Sequence, residues 1–515
     1  MTAQTALPRD FNAADYFLGG HEARLTKAAY IDDNGTTSYG ELIAMVNQAA
    51  NAFSEMNLAP ETRIALVMLD SVALPVAFWG AIKAGLIPIP INTLLTTENY
   101  QYIIQDSRAQ VALISIDLMD SVGPALEDQP YLNQHIPVNE KQPEMCEFLT
   151  KLQSQSKSFT SANTCADEVA FWAYSSGSTG RPKGIKHLHR NLVCVVETYG
   201  HQVLGITEDD LVFSAAKLFF AYGLGNAMLF PLSVGATVVL KRDRPTPAMV
   251  FEIFAQHDLS IFYGVPTLYA ALLGADGIDD AIVPARLRVC VSAGEALPAE
   301  VGTRWQERFN VPVLDGVGST EMLHIFMSNR LDDIRYGTSG TPVPGYRAKL
   351  VDESDQQVPQ GDIGELVVAG DSSAAGYWNQ HDKSKRTFAG HWTYTGDKYF
   401  QDEQGYFHIC GRTDDMFKSG GNWVSPFDIE ACLISHPAVL EAGVVPNEDG
   451  HGNTKPKAYV VLNTAFSAGD SLADELKTHV KERLELWKYP RWIEFKDELP
   501  KTATGKIQRY KLRDQ

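Results

Sequence analysis

Cysteine is scarce in this chain and carries no pattern. Cys146, Cys165, Cys194, Cys290, Cys410 and Cys432 form no CxxC pair and no repeated spacing, which argues against a zinc site and a disulfide framework. Reduced thiols and a cytoplasmic location are therefore the expectation. No run of 18 apolar residues occurs, so no membrane span is expected. The opening MTAQTALPRDFN lacks the basic start and apolar stretch of a secretory signal, and KLRDQ is not a peroxisomal tripeptide. Positive charge is also in deficit: 44 Lys and Arg stand against 63 Asp and Glu, a formal charge of −19. That balance disfavours nucleic acid and anionic membranes as partners, and obliges any polyanionic substrate to find its positive charge locally. There is no internal repeat and no low-complexity segment. What remains is an ordinary globular composition, 44% hydrophobic and 21% charged, over 515 residues, too long for one core and suggestive of at least two domains.

The densest chemistry lies between Tyr174 and Gly184, in YSSGSTGRPKG. The apolar run Val169 to Ala173 reads as a buried strand, so this segment is expected to leave a strand end, where phosphates are commonly held. Gly177, Gly180 and Gly184 allow close backbone approach to an anion, while Ser175, Ser176, Ser178 and Thr179 supply hydroxyl donors. Arg181 and Lys183 add charge. It is not a Walker A loop, because Pro182 precedes the lysine and Gly184 follows it, leaving no hydroxyl to ligate Mg²⁺.

Upstream, Arg63 to Leu69, Val72 to Leu86 and Ile87 to Ile91 read as strand, helix and strand. Further apolar runs at Val111 to Ile116, Ala236 to Leu240, Ser260 to Tyr263 and Leu287 to Ser292 continue the alternation. The expected class is α/β, with mixed, largely parallel sheets flanked by helices. After Gly340 the texture changes to short alternating segments between Gly and Asp turns, predicting a small antiparallel β subdomain. Beyond Arg412 the pattern fits a compact α+β unit, with Ser425, Pro426 and Asp428 marking a helix start.

YSSGSTGRPKG resembles the phosphate-binding signature of the acyl-adenylate-forming superfamily, which includes acyl-CoA synthetases, luciferases and adenylation domains. GSTE (Gly318 to Glu321), YTGD (Tyr394 to Asp397), GRTDDMFKSGG (Gly411 to Gly421) and PKTATGK (Pro500 to Lys506) resemble the same family in the same order. The resemblance implies ATP, Mg²⁺ and CoA as the small molecules handled. It implies that Ser175, Ser176, Gly177, Ser178, Thr179, Gly180 and Lys183 hold phosphates, and that Gly294, Glu295, Ala296, Asp315, Gly318 and Ser319 form the nucleotide slot. Thr320 is placed for the α-phosphate, Glu321 for the metal, and Asp397 with Arg412 for the ribose. Lys506 resembles the family's catalytic lysine, Asp414 the hinge of a mobile C-terminal domain, and Gly420 and Gly421 the path of the pantetheine. Domains of 1–413 and 414–515 follow. His187 and His189 could suggest a metal, but no Cys or carboxylate completes a set nearby; His189 falls where relatives carry a histidine.

In AAKLFFAYGLGN, Phe220, Ala221 and Tyr222 fall where the family builds one wall of its carboxylate-substrate pocket, with Phe230 and His324 as further lining. This version resembles that of benzoate-CoA ligases and their hydroxybenzoate relatives. The expected reaction joins a small aromatic acid to CoA at the expense of ATP, giving AMP and pyrophosphate. Loading of a separate carrier protein, oxidation of the adenylate, activation of another small acid, and a non-enzymatic ATP-binding module are the alternatives; a homodimer is left open.

Overall fold

The computed structural model describes residues 7–141, 147–176, 181–275, 282–413, 415–419, 422–450, 452–501 and 507–513. The apolar runs form two parallel arrays. In the larger sheet, of nine strands, Ala28–Asp32, Thr237–Val239, Leu211–Ser214, Ile261–Gly264, Val289–Ala293 and Val313–Gly318 run parallel as neighbours in that order. Antiparallel strands extend both edges: Gly35–Ser38 on one, and Ile325–Ser328 with Thr341–Pro342 on the other. The smaller sheet is wholly parallel, with Ile87–Pro90, Arg63–Val67, Val111–Ser115 and Gln134–Val138 side by side.

Helix Ala73–Lys83 follows from ALPVAFWGAIK, which is apolar around its whole circumference, and every one of its residues is buried. Helix Tyr39–Glu55 packs on it, with Ala49 so close to Gly80 that a Cβ there would stand 2.6 Å from the Ala49 methyl. That second helix starts at a reciprocal cap, in which Ser38 accepts from Glu41 N and Glu41 accepts from Ser38 N.

The segment after Gly340 forms the antiparallel sheet its alternation predicts, from Arg347–Val351, Gly364–Ala369, Phe388–Ala389, Trp392–Gln401 and Phe407–Arg412. The last stretch pairs Val439–Glu448 with Thr454–Leu462 and adds Trp492–Phe495 in parallel. Helix Pro426–Ile434 begins where expected, with Ser425 Oγ accepting from Asp428 N at 3.2 Å. Residues 417–512 bury their own apolar clusters, around Val424, Leu433, Val460 and Leu476, and around Tyr459 and Leu512. The fold is thus a large α/β body bearing a small antiparallel sheet, followed by a smaller α+β unit. Among the described residues, no helix is long and apolar enough to cross a membrane.

The topology gathers the motifs. The segments 215–220, 294–296 and 319–321 leave the carboxyl ends of adjacent or nearby parallel strands, where an α/β sheet opens its crevice.

Candidate active site

Tyr174 to Ser176 and Pro182 to Gly184 lie in two antiparallel strands paired with each other. Strand Val169–Ser176 runs three residues beyond the expected end at Ala173, because Tyr174, Ser175 and Ser176 pair with Gly184, Lys183 and Pro182. That strand is anchored: Tyr174 OH donates to Asp106 Oδ2 at 2.7 Å. Gly177, Ser178, Thr179 and Gly180 lie outside the described residues, as do Asp414, Gly420, Gly421 and Lys506.

Lys183 reaches across to Glu321. Its Nζ stands 2.6 Å from Glu321 Oε1, and Tyr377 OH donates to the same oxygen at 2.8 Å. Lys183 also donates to Tyr377 OH at 3.0 Å and lies 4.4 Å from the centre of that ring. Only 12% and 15% of the Lys183 and Glu321 side chains are exposed. Burial acts to raise the Glu321 pKa, but the charge of Lys183, followed by the hydrogen bonds from Lys183 and Tyr377, outweighs it and holds the carboxyl below its usual range. Tyr377 was not legible as a site residue, since its partner is remote in sequence and AAGYWN carries no catalytic pattern.

Thr320 is tied in from behind, its carbonyl accepting from His187 Nε2 at 2.8 Å. His187 stacks on Phe171, and burial pushes its pKa down to about 4, so it stands neutral near pH 7. His189 turns elsewhere, its Nδ1 accepting from Ala13 N at 3.0 Å. The two histidines serve packing, and among the described residues no group of three His, Cys, Asp or Glu could hold a metal by itself.

Between Glu321 and His324 the backbone makes a tight three-residue turn. Leu323 adopts φ 66°, ψ −44°, and His324 N donates to Met322 O at 2.8 Å. This is the rare, strained hand of the γ-turn, unusual for a bulky residue. It separates Glu321 from an aromatic group, in which His324 lies 4.6 Å from Phe230, 5.5 Å from Tyr199 and 5.6 Å from Tyr222 between ring centres. His324 Nε2 faces two acceptors, Tyr222 O at 3.3 Å and Asn226 Oδ1 at 3.1 Å, so it carries the hydrogen. Burial lowers the His324 pKa to about 3. Phe220, Ala221 and Tyr222 adjoin on one segment, each half-buried, and Tyr222 OH donates to Val291 O at 3.1 Å and Gly264 O at 3.3 Å. Phe230 is fully buried. Tyr199 and Asn226 complete the group and had no sequence signal.

The proposed nucleotide residues fall into two places. Gly294, at φ 98°, turns the chain as the strand Val289–Ala293 ends, and is followed by Glu295 and Ala296. Asp315 sits on the neighbouring strand, its Oδ2 accepting from Leu297 N at 3.3 Å, and burial raises its pKa to about 7. Gly318 has no room for a side chain, since a Cβ would stand 2.6 Å from His324 O, and Ser319 Oγ accepts from Met322 N at 3.2 Å. Asp397 and Arg412 are cross-strand partners with Oδ1 and Nε 3.2 Å apart.

On the far side, Arg509 makes paired bonds to Glu430, at 3.0 and 2.6 Å, and comes within 3.7 Å of Asp415. Glu295 is among the carboxylates that stabilise the Arg509 charge. An anionic carboxylate beside a lysine, next to a threonine and an aromatic wall, suits charge neutralisation and alignment of anionic reactants.

Two family models match the chain, that of the AMP-binding enzyme over residues 21–378 and that of the AMP-binding enzyme C-terminal domain over residues 428–506. Among curated proteins, a benzoate–CoA ligase of Thauera aromatica is 50% identical over 511 residues, covering 98% of this chain and 96% of the relative. A 4-hydroxybenzoate–CoA/benzoate–CoA ligase of Rhodopseudomonas palustris is 48% identical, covering 98% and 94%. Among solved structures, a benzoate CoA ligase from Burkholderia xenovorans matches at TM-score 0.92 and 48% identity, over 98% of this chain and all of the other. The anthranilate CoA ligase AuaEII, in complex with anthranoyl-AMP, matches at TM-score 0.95 and 38% identity, over 99% and 98%.

Proposed function

The chain belongs to the family of AMP-binding enzymes, and we propose that it is an aryl-CoA ligase acting on benzoate or a substituted benzoate. A carboxylate is a poor acyl donor, because oxide is a poor leaving group. Attack of the acid's oxygen on the α-phosphate of ATP, with departure of pyrophosphate, yields an aryl-adenylate whose leaving group is AMP. The thiolate sulfur of CoA then attacks the acyl carbon, forming the C–S bond as AMP leaves. The first step brings two anions together, so the protein's task is to neutralise charge and align the reactants. It needs no general base, because a carboxylic acid is ionised near pH 7.

The observation that carries this reading is the buried cluster of Lys183, Glu321 and Tyr377 beside Thr320. Lys183 would meet phosphate oxygens and Thr320 would bond the α-phosphate. Glu321 fits a hard divalent cation, since it presents an anionic oxygen donor. When bound, Mg²⁺ would spread the charge that develops on those oxygens. Asp397 and Arg412 would hold the ribose, and Phe220, Ala221, Tyr222, Phe230 and His324 would receive the ring. Residues 1–413 and 414–515 are proposed as the two domains, with Asp414 as hinge, Lys506 acting in adenylation, and Gly420 and Gly421 beside the pantetheine. A cytoplasmic site in aromatic acid breakdown is the matching setting.

Acid-dependent exchange of labelled pyrophosphate into ATP tests the first step, and chromatographic detection of benzoyl-CoA tests the second. Exchange without thioester formation from CoA would point to a carrier protein as the acceptor; no exchange with any acid would overturn the proposal.

A further inference from the structure

The aromatic segment 218–222 is held by a residue from a different sheet. Asp70 lies just after the strand Arg63–Val67 of the four-stranded sheet and is buried, 4% exposed. Both its carboxylate oxygens face the amide of Leu218, at 3.2 and 3.3 Å. That amide needs them. Residues 217–220 form a turn closed by Phe220 N donating to Lys217 O at 3.0 Å, which leaves Leu218 N without an acceptor inside the turn, and Leu218 is itself fully buried. An unmet buried amide is costly.

Around this contact the polar groups are organised to hold both sides. Leu69 N donates to Ser115 Oγ at 2.8 Å, Ser115 Oγ in turn bonds Glu140, and Val72 N donates to Asp32 Oδ2 at 3.0 Å. Asp70 therefore projects from a loop pinned on each flank. On the receiving side, Lys217 Nζ donates to the carbonyls of Lys241 and Asp243, and its charge favours the ionised form of Asp70. Ser214 Oγ donates to Ala216 O at 2.9 Å and accepts from Asn226, the same residue that faces His324. The turn also presses on the following helix, since a Cβ at Gly223 would overlap the carbonyls of Lys217 and Ala216. A shift at Leu218 would thus be transmitted to Phe220, Ala221 and Tyr222 with little slack.

We propose that Asp70 is a positioning residue for the aromatic acid, fixing through Leu218 and Lys217 the segment that presents Phe220, Ala221 and Tyr222. Burial raises its pKa to about 6, so near pH 7 the carboxylate is chiefly ionised and accepts a charge-assisted bond.

The inference rests on the aryl-CoA ligase reading, and the test separates the two. KM for benzoate, KM for ATP and kcat are measured by pyrophosphate exchange for the unmodified protein, Asp70→Ala, Asp70→Ser and Asp70→Asn. Alanine cannot accept the bond and serine is too short to reach it, whereas asparagine retains an acceptor oxygen. The expected result is a rise in benzoate KM of about tenfold in the Ala and Ser variants, with ATP KM near its starting value and Asp70→Asn close to the unmodified protein. Either of the two shorter variants suffices if the other fails to fold. An unchanged benzoate KM, a parallel rise in benzoate and ATP KM, or an Asn variant as impaired as the Ser variant would overturn the proposal. If the unmodified protein does not activate benzoate at all, it is the ligase reading that fails.

Discussion

Replacing Lys183 by methionine would leave Glu321 buried beside Tyr377 without its cation, and the consequence can be worked from the geometry. The pair is 2.6 Å apart with both side chains largely covered. Removing one member of such a pair costs about 3–5 kcal/mol, because the survivor keeps its desolvation without its Coulomb partner. The residual exposure and the retained bond from Tyr377 OH place the expectation at the lower end, about 3 kcal/mol. The pH dependence is more diagnostic than the magnitude. In the unmodified protein the Glu321 pKa is depressed, so its contribution is present above the unfolded value and is lost as pH falls through the folded value. In Lys183→Met burial dominates, the folded pKa rises above the unfolded one, and stability instead declines as pH rises between the two.

Denaturant titrations of the two proteins at a series of pH values from 4.5 to about 7.5 should therefore show a gap that widens with pH. The double variant Lys183→Met with Glu321→Gln removes the stranded charge and should recover much of the loss. A gap that does not change with pH, or a double variant no more stable than Lys183→Met, would show that the pair does not carry the electrostatic weight assigned to it. Pyrophosphate exchange should fall steeply in both Lys183→Met and Glu321→Gln.

Lys506→Ala should slow adenylation strongly while sparing thioester formation from supplied benzoyl-adenylate and CoA; equal loss of both steps would remove Lys506 from its assigned role. Ala221→Leu should raise KM for benzoate with little effect on KM for ATP, and an unmodified protein with higher kcat/KM for octanoate than for benzoate would refute the aromatic pocket. Gly225→Ala would drive a methyl into the His324 ring, an overpacking worth about 1–3 kcal/mol; a thermal midpoint and benzoate KM both unchanged would mean that His324 has room to yield.

The strands were legible because a buried parallel strand is a short continuous apolar run. Ile87–Pro90, Val111–Ser115, Ile261–Gly264 and Val289–Ala293 fall within a residue or two of the runs that announced them. Their order was not legible. Ala28–Asp32 pairs with Thr237–Val239, across some two hundred residues, and periodicity holds no information on pairing at that distance. The strand Val169–Ser176 was misjudged by three residues for a related reason: Tyr174, Ser175 and Ser176 are polar, and only pairing with Pro182 to Gly184 keeps them extended. Among the candidate residues, Glu321, Asp397 and the 294–296 loop came from contiguous motifs. Tyr377, Asn226 and Asp70 were silent, because each matters through a contact with a residue far along the chain.

The pairing of charges in the candidate site bears on how a chain of charge −19 would meet a polyanion under the proposed reading. Two of the site's positive groups, Lys183 and Arg412, already have carboxylate partners. Lys183 is paired with Glu321 and Arg412 with Asp397, the two carboxylates proposed above for a metal and a ribose. Under the proposed reading, binding ATP would be an exchange of partners, in which each carboxylate would give up a cation as the nucleotide supplies a new contact. Such an exchange would require the groups to stay in register while unpaired, and three nearby features would serve that end. Leu323 is held in a strained turn, while Asp70 and Asp315 are buried with pKa values raised to about 6 and about 7. Each is disfavoured by local energetics, and all three adjoin the proposed acid and nucleotide sites. Strain of this kind persists only where surrounding structure over-determines it. The parallel sheet supplies that determination, because the carboxyl ends of its strands Leu211–Ser214, Ile261–Gly264, Val289–Ala293 and Val313–Gly318 fix the segments on which these residues act.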